Sequence, residues 1–200
     1  SMMESGMKAT SVNRKLSTLR TFYRFLLRKG EVTVSPMQAV VGPKKKKPLP
    51  TFFREEEMDR LLDDTAFPEG WEGVRDRLML QMLYETGMRR AELVSMNVND
   101  VDFSRGQIKV TGKRNKQRLI PFGDELKEKL QSYVELRDQK MPHVDDALFV
   151  RKNGTRVDGS WVYNRVKSYL SRVSTQQKRS PHVLRHTFAQ LAQGHQQMGR

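Results

Sequence analysis

The chain has 200 residues, 36% of them hydrophobic, no cysteine and a formal net charge of +14. That supports one ordinary domain plus part of another, or two small ones, and excludes disulfide scaffolds, thiolate metal sites and cysteine nucleophiles. No apolar run approaches the ~20 residues of a membrane span and no signal peptide opens the chain, so a cytoplasmic location with no membrane partner is expected.

Ser1-Met2-Met3 reads as a cloning remnant ahead of a start codon. From Thr10 to Gly30 the sequence predicts one helix, with Thr10 or Ser11 as N-cap, Val12, Leu16, Leu19, Tyr23 and Leu26 as an apolar stripe, and Gly30 closing it. Arg20, Arg24 and Arg28 lie four apart on another face with no interleaved carboxylate, and Arg14 adds a further cation. Such a row is either a solvated face or a phosphate-contacting one. Residues 1–50 carry 11 Lys and Arg against 2 Asp and Glu. The run Lys44, Lys45, Lys46 and Lys47, flanked by prolines, resists both helix and strand and reads as a linker. The predicted division is therefore a helical domain over 1–41, a basic linker over 42–50 and a larger domain over 51–200.

Residues 54–64 and 71–87 predict helices, followed by a short one at 89–96. The hydrophobic period then changes from helical to alternating. Residues 106–122 predict a β-hairpin with the basic tip TGKRNK, preceded by a short strand near Val101–Phe103. Further on come a helix over 124–139, a strand with an Asn153-Gly154 turn over 147–155, a helix over 160–173, and a last helix opened by Pro181. The fold class is mainly α with a small antiparallel β-sheet. Residues 151–200 carry 10 Lys and Arg against 1 Asp. Basic ends on a mildly acidic middle point to nucleic acid, because clustered cations release the counterions condensed on phosphates. A merely soluble basic protein is the alternative.

On the last helix His182, Arg185 and His186 share one face, and Leu184, Phe188 and Leu191 another. Two histidines at i and i+4 can ligate zinc, but Val183 stands where the metalloprotease pattern needs glutamate, so no metal is predicted.

Three segments in order, YETGMRRAELVSMNVNDVD, IKVTGKRNKQRLIP and SPHVLRHTFA, resemble the conserved boxes of the tyrosine recombinases, the phage-integrase family, nearest its Xer-like branch. The resemblance runs from the SVNRKLSTLRTFYRFL helix through Ala189. It implies a SAM-like core-binding domain, a catalytic domain, double-stranded DNA as partner, no cofactor, and tetramers on DNA in intact relatives. Carried over by position, the catalytic arginines fall on Arg89 and Arg185, the lysine on Lys113 and the histidine on His182. Glu92 matches an acidic family position, with an ion pair to Arg89 as the plainer reading. The implied chemistry is attack of a tyrosine on a phosphodiester. Arginine forks hold the nonbridging oxygens, lysine protonates the departing 5′ oxygen, and a phosphotyrosine stores the bond. His182 would relay or accept a proton. Lys44, Lys45, Lys46 and Lys47, the α-helical Arg14, Arg20, Arg24 and Arg28, and Arg114, Lys116 and Arg118 at the hairpin tip are the expected DNA contacts.

The family pattern continues with a Gly-His or tryptophan box and then the nucleophile, whereas 15 residues follow Arg185 here and none is tyrosine. Gly194-His195 resembles the box but stands only 10 residues beyond Arg185. The five tyrosines, Tyr23, Tyr84, Tyr133, Tyr163 and Tyr169, all precede the third box and read as packing aromatics. Helices that open the family's clamp domain are also short of room ahead of Thr10. The expectation is a chain clipped at both ends that binds DNA without a nucleophile of its own, or a noncatalytic DNA-binding derivative of a recombinase.

Overall fold

The computed structural model describes residues 6–44, 53–63, 66–141, 146–173, 180–185 and 187–188, the side chains of residues 55 and 113 excepted. Contacts divide the chain into two compact units, Ser1–Leu49 and Pro50–Arg200.

The first unit is built on α1 (Ala9–Lys29). The helix starts ahead of the expected Thr10 or Ser11 cap: Lys8 is the N-cap, and its carbonyl accepts from the amides of Ser11 and Val12 at 2.9 and 3.1 Å. What fixes this start is apolar, since Met7 packs against the cluster containing Val12, two positions that make a hydrophobic staple across the first turn. The other end closes as expected. Gly30 turns left-handed (φ 75°), and the amides of Gly30 and Glu31 satisfy the carbonyls of Leu27 and Leu26. A 3₁₀ turn at Pro36–Gln38, capped by the Ser35 hydroxyl accepting from the Met37 amide, lays Met37 against Val12 and Leu16. Only this part of the apolar stripe is buried; Phe22 and Phe25 are each 52% exposed.

The second unit contains α2 (Glu55–Leu62), α3 (Trp71–Thr86), α4 (Arg90–Ser95), β1 (Val101–Asp102), β2 (Gln107–Thr111), β3 (Gln117–Pro121), α5 (Asp124–Lys140) and α6 (Gly159–Val173), with further helical turns at 181–185 and 187–188. Helix α3 is its axis. Leu78, Met79, Leu80, Met82 and Leu83 are all buried and cover more than half of its circumference, while Val74 and Glu85 lie on the face left exposed. Near its start it buries charge. Arg75 lies over the rings of Trp71 and Trp161 at 5.0 and 4.6 Å and donates to Asp76 (2.9 Å) and to the Val150 carbonyl (3.0 Å). Asp76 also accepts from the Tyr169 hydroxyl at 2.9 Å and pairs with Arg165 at 3.2 Å, which ties α3 to α6.

The sheet is antiparallel in the order β1-β2-β3. Ile108 faces Ile120 and Val110 faces Arg118 across the hairpin. Since Ile108 and Val110 are buried, the same parity puts Arg118 on the inner face. The strand expected over 147–155 reduces to two isolated bridges, Asn97 with Ala147 and Val150 with Arg156. Its backbone is satisfied elsewhere: the Leu148 amide donates to the Met96 carbonyl at 2.9 Å, and the Val150 carbonyl takes the Arg75 guanidinium.

Candidate active site

The site begins where α3 stops. Gly87 is left-handed (φ 57°), and Thr86 braces the turn, its hydroxyl donating to the Met82 carbonyl (2.6 Å) and accepting from the Met88 amide (3.2 Å). The chain then enters α4 with Arg89 as N-cap in extended conformation. Glu92, three residues on, reaches back to the Arg89 amide at 2.6 Å and accepts from the Arg89 guanidinium at 2.8 Å. The plainer expectation, an ion pair between them, is thus what forms, but Glu92 does more. Arg118 comes in from β3 and donates to both carboxylate oxygens, at 2.7 and 2.9 Å. Glu92 is 2% exposed. Burial alone raises its pKa, and the hydrogen bonds from Arg118 and Arg89 overcome that and bring it to about 2.

The hairpin turn lies beside this pair. The Gly112 amide donates to the Lys116 carbonyl at 2.8 Å, and a Cβ on Gly112 would sit 3.4 Å from Glu92 Oε1 and 3.8 Å from Arg89 Nη1. The backbone of Lys113 follows directly, in a 3₁₀ turn where Arg114 and Asn115 are left-handed (φ 60° and 57°). The Lys113 side chain lies outside the described residues.

The third segment docks through its apolar face. Pro181, Val183, Leu184 and Thr187 are buried, and the Thr187 hydroxyl accepts from the Phe53 amide at 3.0 Å while donating to the Val183 carbonyl. Arg185 donates to the Gly87 carbonyl at 2.6 Å. Burial first, and then the like charge of Arg89, lower the Arg185 pKa. Arg89, Arg185 and the exposed His182 line one cleft of about 650 Å³, together with Arg90 and Tyr163. Three of the four predicted catalytic positions therefore share a cavity, and the fourth directly follows Gly112, which borders Arg89.

Three features escaped sequence reasoning. Arg118, expected at the DNA, is the second guanidinium on Glu92; the parity of the hairpin carries that signal. Gly87, read only as a helix end, supplies the carbonyl that holds Arg185 and leaves space for Phe188, whose ring a Cβ there would overlap. Tyr163, grouped with the packing aromatics, lines the cleft, and no spacing rule announces it.

The remaining predicted contacts lie elsewhere. Arg14, Arg20, Arg24 and Arg28 are exposed on α1, and Arg20 donates to the Val40 carbonyl at 2.7 Å. Lys44 is exposed; Lys45, Lys46 and Lys47 lie outside the described residues, as do His186, Gly194 and His195. Arg114 and Lys116 are exposed at the hairpin tip. Two tyrosines are engaged in the core. Tyr133 donates to the Leu148 carbonyl at 3.1 Å, and burial pushes its pKa well up; burial and the Asp76 charge push Tyr169 up to about 12.

The model of the phage integrase family matches residues 51–194, and that of the phage integrase N-terminal SAM-like domain matches residues 2–30. Tyrosine recombinase XerC of Staphylococcus carnosus (strain TM300) is 40% identical over 188 residues, covering 94% of this chain and 63% of that protein. The chain thus spans less than two thirds of that relative's length. Among solved structures, XerA recombinase is 26% identical with a TM-score of 0.64, over 94% of this chain and 69% of that one. The Tn1549 transposon integrase, solved in complex with transposon right end DNA, shares the fold at a TM-score of 0.79 and 17% identity, over 96% of this chain and 70% of that one. By its family match, by its XerC relative and by the order of its three boxes, the chain belongs to the phage integrase family, the tyrosine recombinases.

Proposed function

We propose that the chain grips double-stranded DNA and holds one phosphodiester for site-specific strand exchange by the tyrosine-recombinase mechanism. The observation that carries this is the convergence of Arg89 and Arg185 on one cleft whose only neighbouring carboxylate among the lining and supporting residues described, Glu92, is already neutralised by Arg118. Permanently charged planar forks suit the nonbridging oxygens of a phosphate, where negative charge grows as the attacking and leaving oxygens share phosphorus. In the reaction a tyrosine oxygen bonds to phosphorus and the bond to the 5′ oxygen breaks. Lys113, on the turn beside Arg89, supplies the proton that the departing 5′ oxygen takes, and His182 exchanges a proton at the cleft rim.

The nucleophile is not assigned to this chain. Tyr133 and Tyr169 use their hydroxyls inside the core, which favours DNA binding without covalent chemistry for the 200-residue chain alone. That noncatalytic reading is the second one, and a single assay separates the two. Incubation with a nicked duplex, denaturation and mass analysis yields no phosphotyrosine adduct if the nucleophile comes from elsewhere. An adduct on any of the five tyrosines overturns that assignment. Binding itself is read by fluorescence anisotropy of a labelled duplex. Arg89→Ala and Arg185→Ala each weaken it and reduce its salt dependence by about one ion. Assembly of several copies on one duplex is proposed here on the family resemblance alone, which implies tetramers on DNA.

A further inference from the structure

We infer that Arg90 is a third phosphate-binding residue of the cleft, taking the DNA backbone phosphate next to the one held by Arg89 and Arg185, and that Tyr163 positions it. The inference rests on the reading of the cleft as a phosphodiester site. It goes beyond that reading because Arg90 is not among the positions onto which the family resemblance carries a role.

The geometry is particular to this side chain. Arg90 Cζ lies over the Tyr163 ring, 5.8 Å from its centroid. On its other flank the guanidinium meets the start of α6 at Gly159, where a Cβ would contact Nε, Cζ and Nη2 at 3.5, 3.6 and 3.7 Å. A planar cation held between an aromatic face and a glycine loses little rotamer freedom when it binds. The surrounding arginines are spoken for. Arg89 and Arg118 share Glu92, and Arg75 and Arg165 share Asp76. Among the described residues Arg90 has no carboxylate partner, and it is exposed on the cleft wall.

Charge and stoichiometry complete the argument. Arg89, Arg90 and Arg185 leave the cleft with three guanidiniums, which repel one another until a polyanion enters. One phosphodiester carries a single negative charge on two nonbridging oxygens, and two forks already engage both. The third, held apart on the Tyr163 wall, is placed for the neighbouring phosphate, about 3.4 Å further along the strand axis.

The test is a salt titration of duplex binding by the whole chain, using a fluorescein-labelled duplex of arbitrary sequence and anisotropy readout. Arg90→Ala is expected to lower the slope of log K against log salt by about 0.9 and to weaken binding several-fold at physiological salt. Arg90→Lys retains the slope, since a point charge suffices for counterion release. In Arg90→Ala/Arg185→Ala the losses of binding free energy add, because the two contacts are on different phosphates. Tyr163→Phe keeps wild-type binding, whereas Tyr163→Leu weakens it with the slope unchanged. That pattern marks a positioning residue and not a fold defect, and thermal unfolding by circular dichroism checks that each variant is folded. A slope unaltered in folded Arg90→Ala, with wild-type binding intact, overturns this inference and leaves the DNA-binding reading standing. Wild-type chain that shows no salt-sensitive binding overturns both.

Discussion

Glu92 occupies a position where a carboxylate works only as an anchor. It is buried, it accepts from the Arg89 amide and from two guanidiniums, and its pKa of about 2 lies below the ordinary 4.5. A folded-state pKa depressed in this way contributes stability that is complete above 4.5 and is lost as pH falls from there through about 2. Glu92→Gln is therefore expected to lower stability by about 2 kcal/mol at neutral pH, the two arginines being half exposed and so partly rehydrated. Urea midpoints at about pH 6 and about pH 3 check the sign: the gap between wild type and variant narrows at the lower pH. Gly87 presents the opposite case, a residue that matters through what it lacks. Gly87→Ala forces a left-handed alanine and drives its methyl into Phe188, with an expected loss of about 2–3 kcal/mol in urea unfolding. Because its carbonyl holds Arg185, that variant also weakens duplex binding even where it remains folded.

At the scale of elements, local pattern was a good guide wherever one element settles its own conformation. The Arg89–Glu92 pair follows from spacing on a helix, Gly30 from left-handed closure, and the hairpin from alternation around TGKRNK. Legibility ended where two elements meet. Arg118 lies 26 residues from Glu92, and only the pairing of Val110 with Arg118 reveals that it points inward with the buried strand residues. Residues 147–155 carry a strand's composition, yet the Leu148 amide and the Val150 carbonyl are claimed by Met96 and Arg75, and only the pairing around the Asn153-Gly154 turn, Val157 to Phe149 and Arg151 to Thr155, stays local. The cleft was legible as three boxes, whereas its Arg90–Tyr163 wall needed the packing of α6 on α4. That packing depends on the α3–α6 junction, where Tyr169 bonds to Asp76. Tyr169→Phe is expected to destabilise the second unit by about 1 kcal/mol, since Arg75 and Arg165 still satisfy the carboxylate. In an alkaline absorbance titration of the wild type, Tyr133 and Tyr169 ionise only above the ordinary tyrosine range.

For the whole molecule, the two units differ in how much core they own. Among the described residues Val12, Leu16 and Met37 are the buried apolar side chains of the first, whereas the second buries a continuous cluster from Phe53 to Leu184. Local opening follows local packing, so amides of α1 are expected to exchange with deuterium much faster than those of α3, a contrast that exchange mass spectrometry resolves peptide by peptide. Equal protection of both helices would contradict it. The two tryptophans of the sequence, Trp71 and Trp161, flank the same buried Arg75 at the junction of α3 and α6. Tryptophan emission of this protein, excited selectively, is consequently a reporter for one place. Emission followed through a denaturant titration tracks the second unit and is blind to the melting of α1. A spectral change on adding DNA would report movement at the start of α6, the same turn that carries Tyr163 toward the cleft.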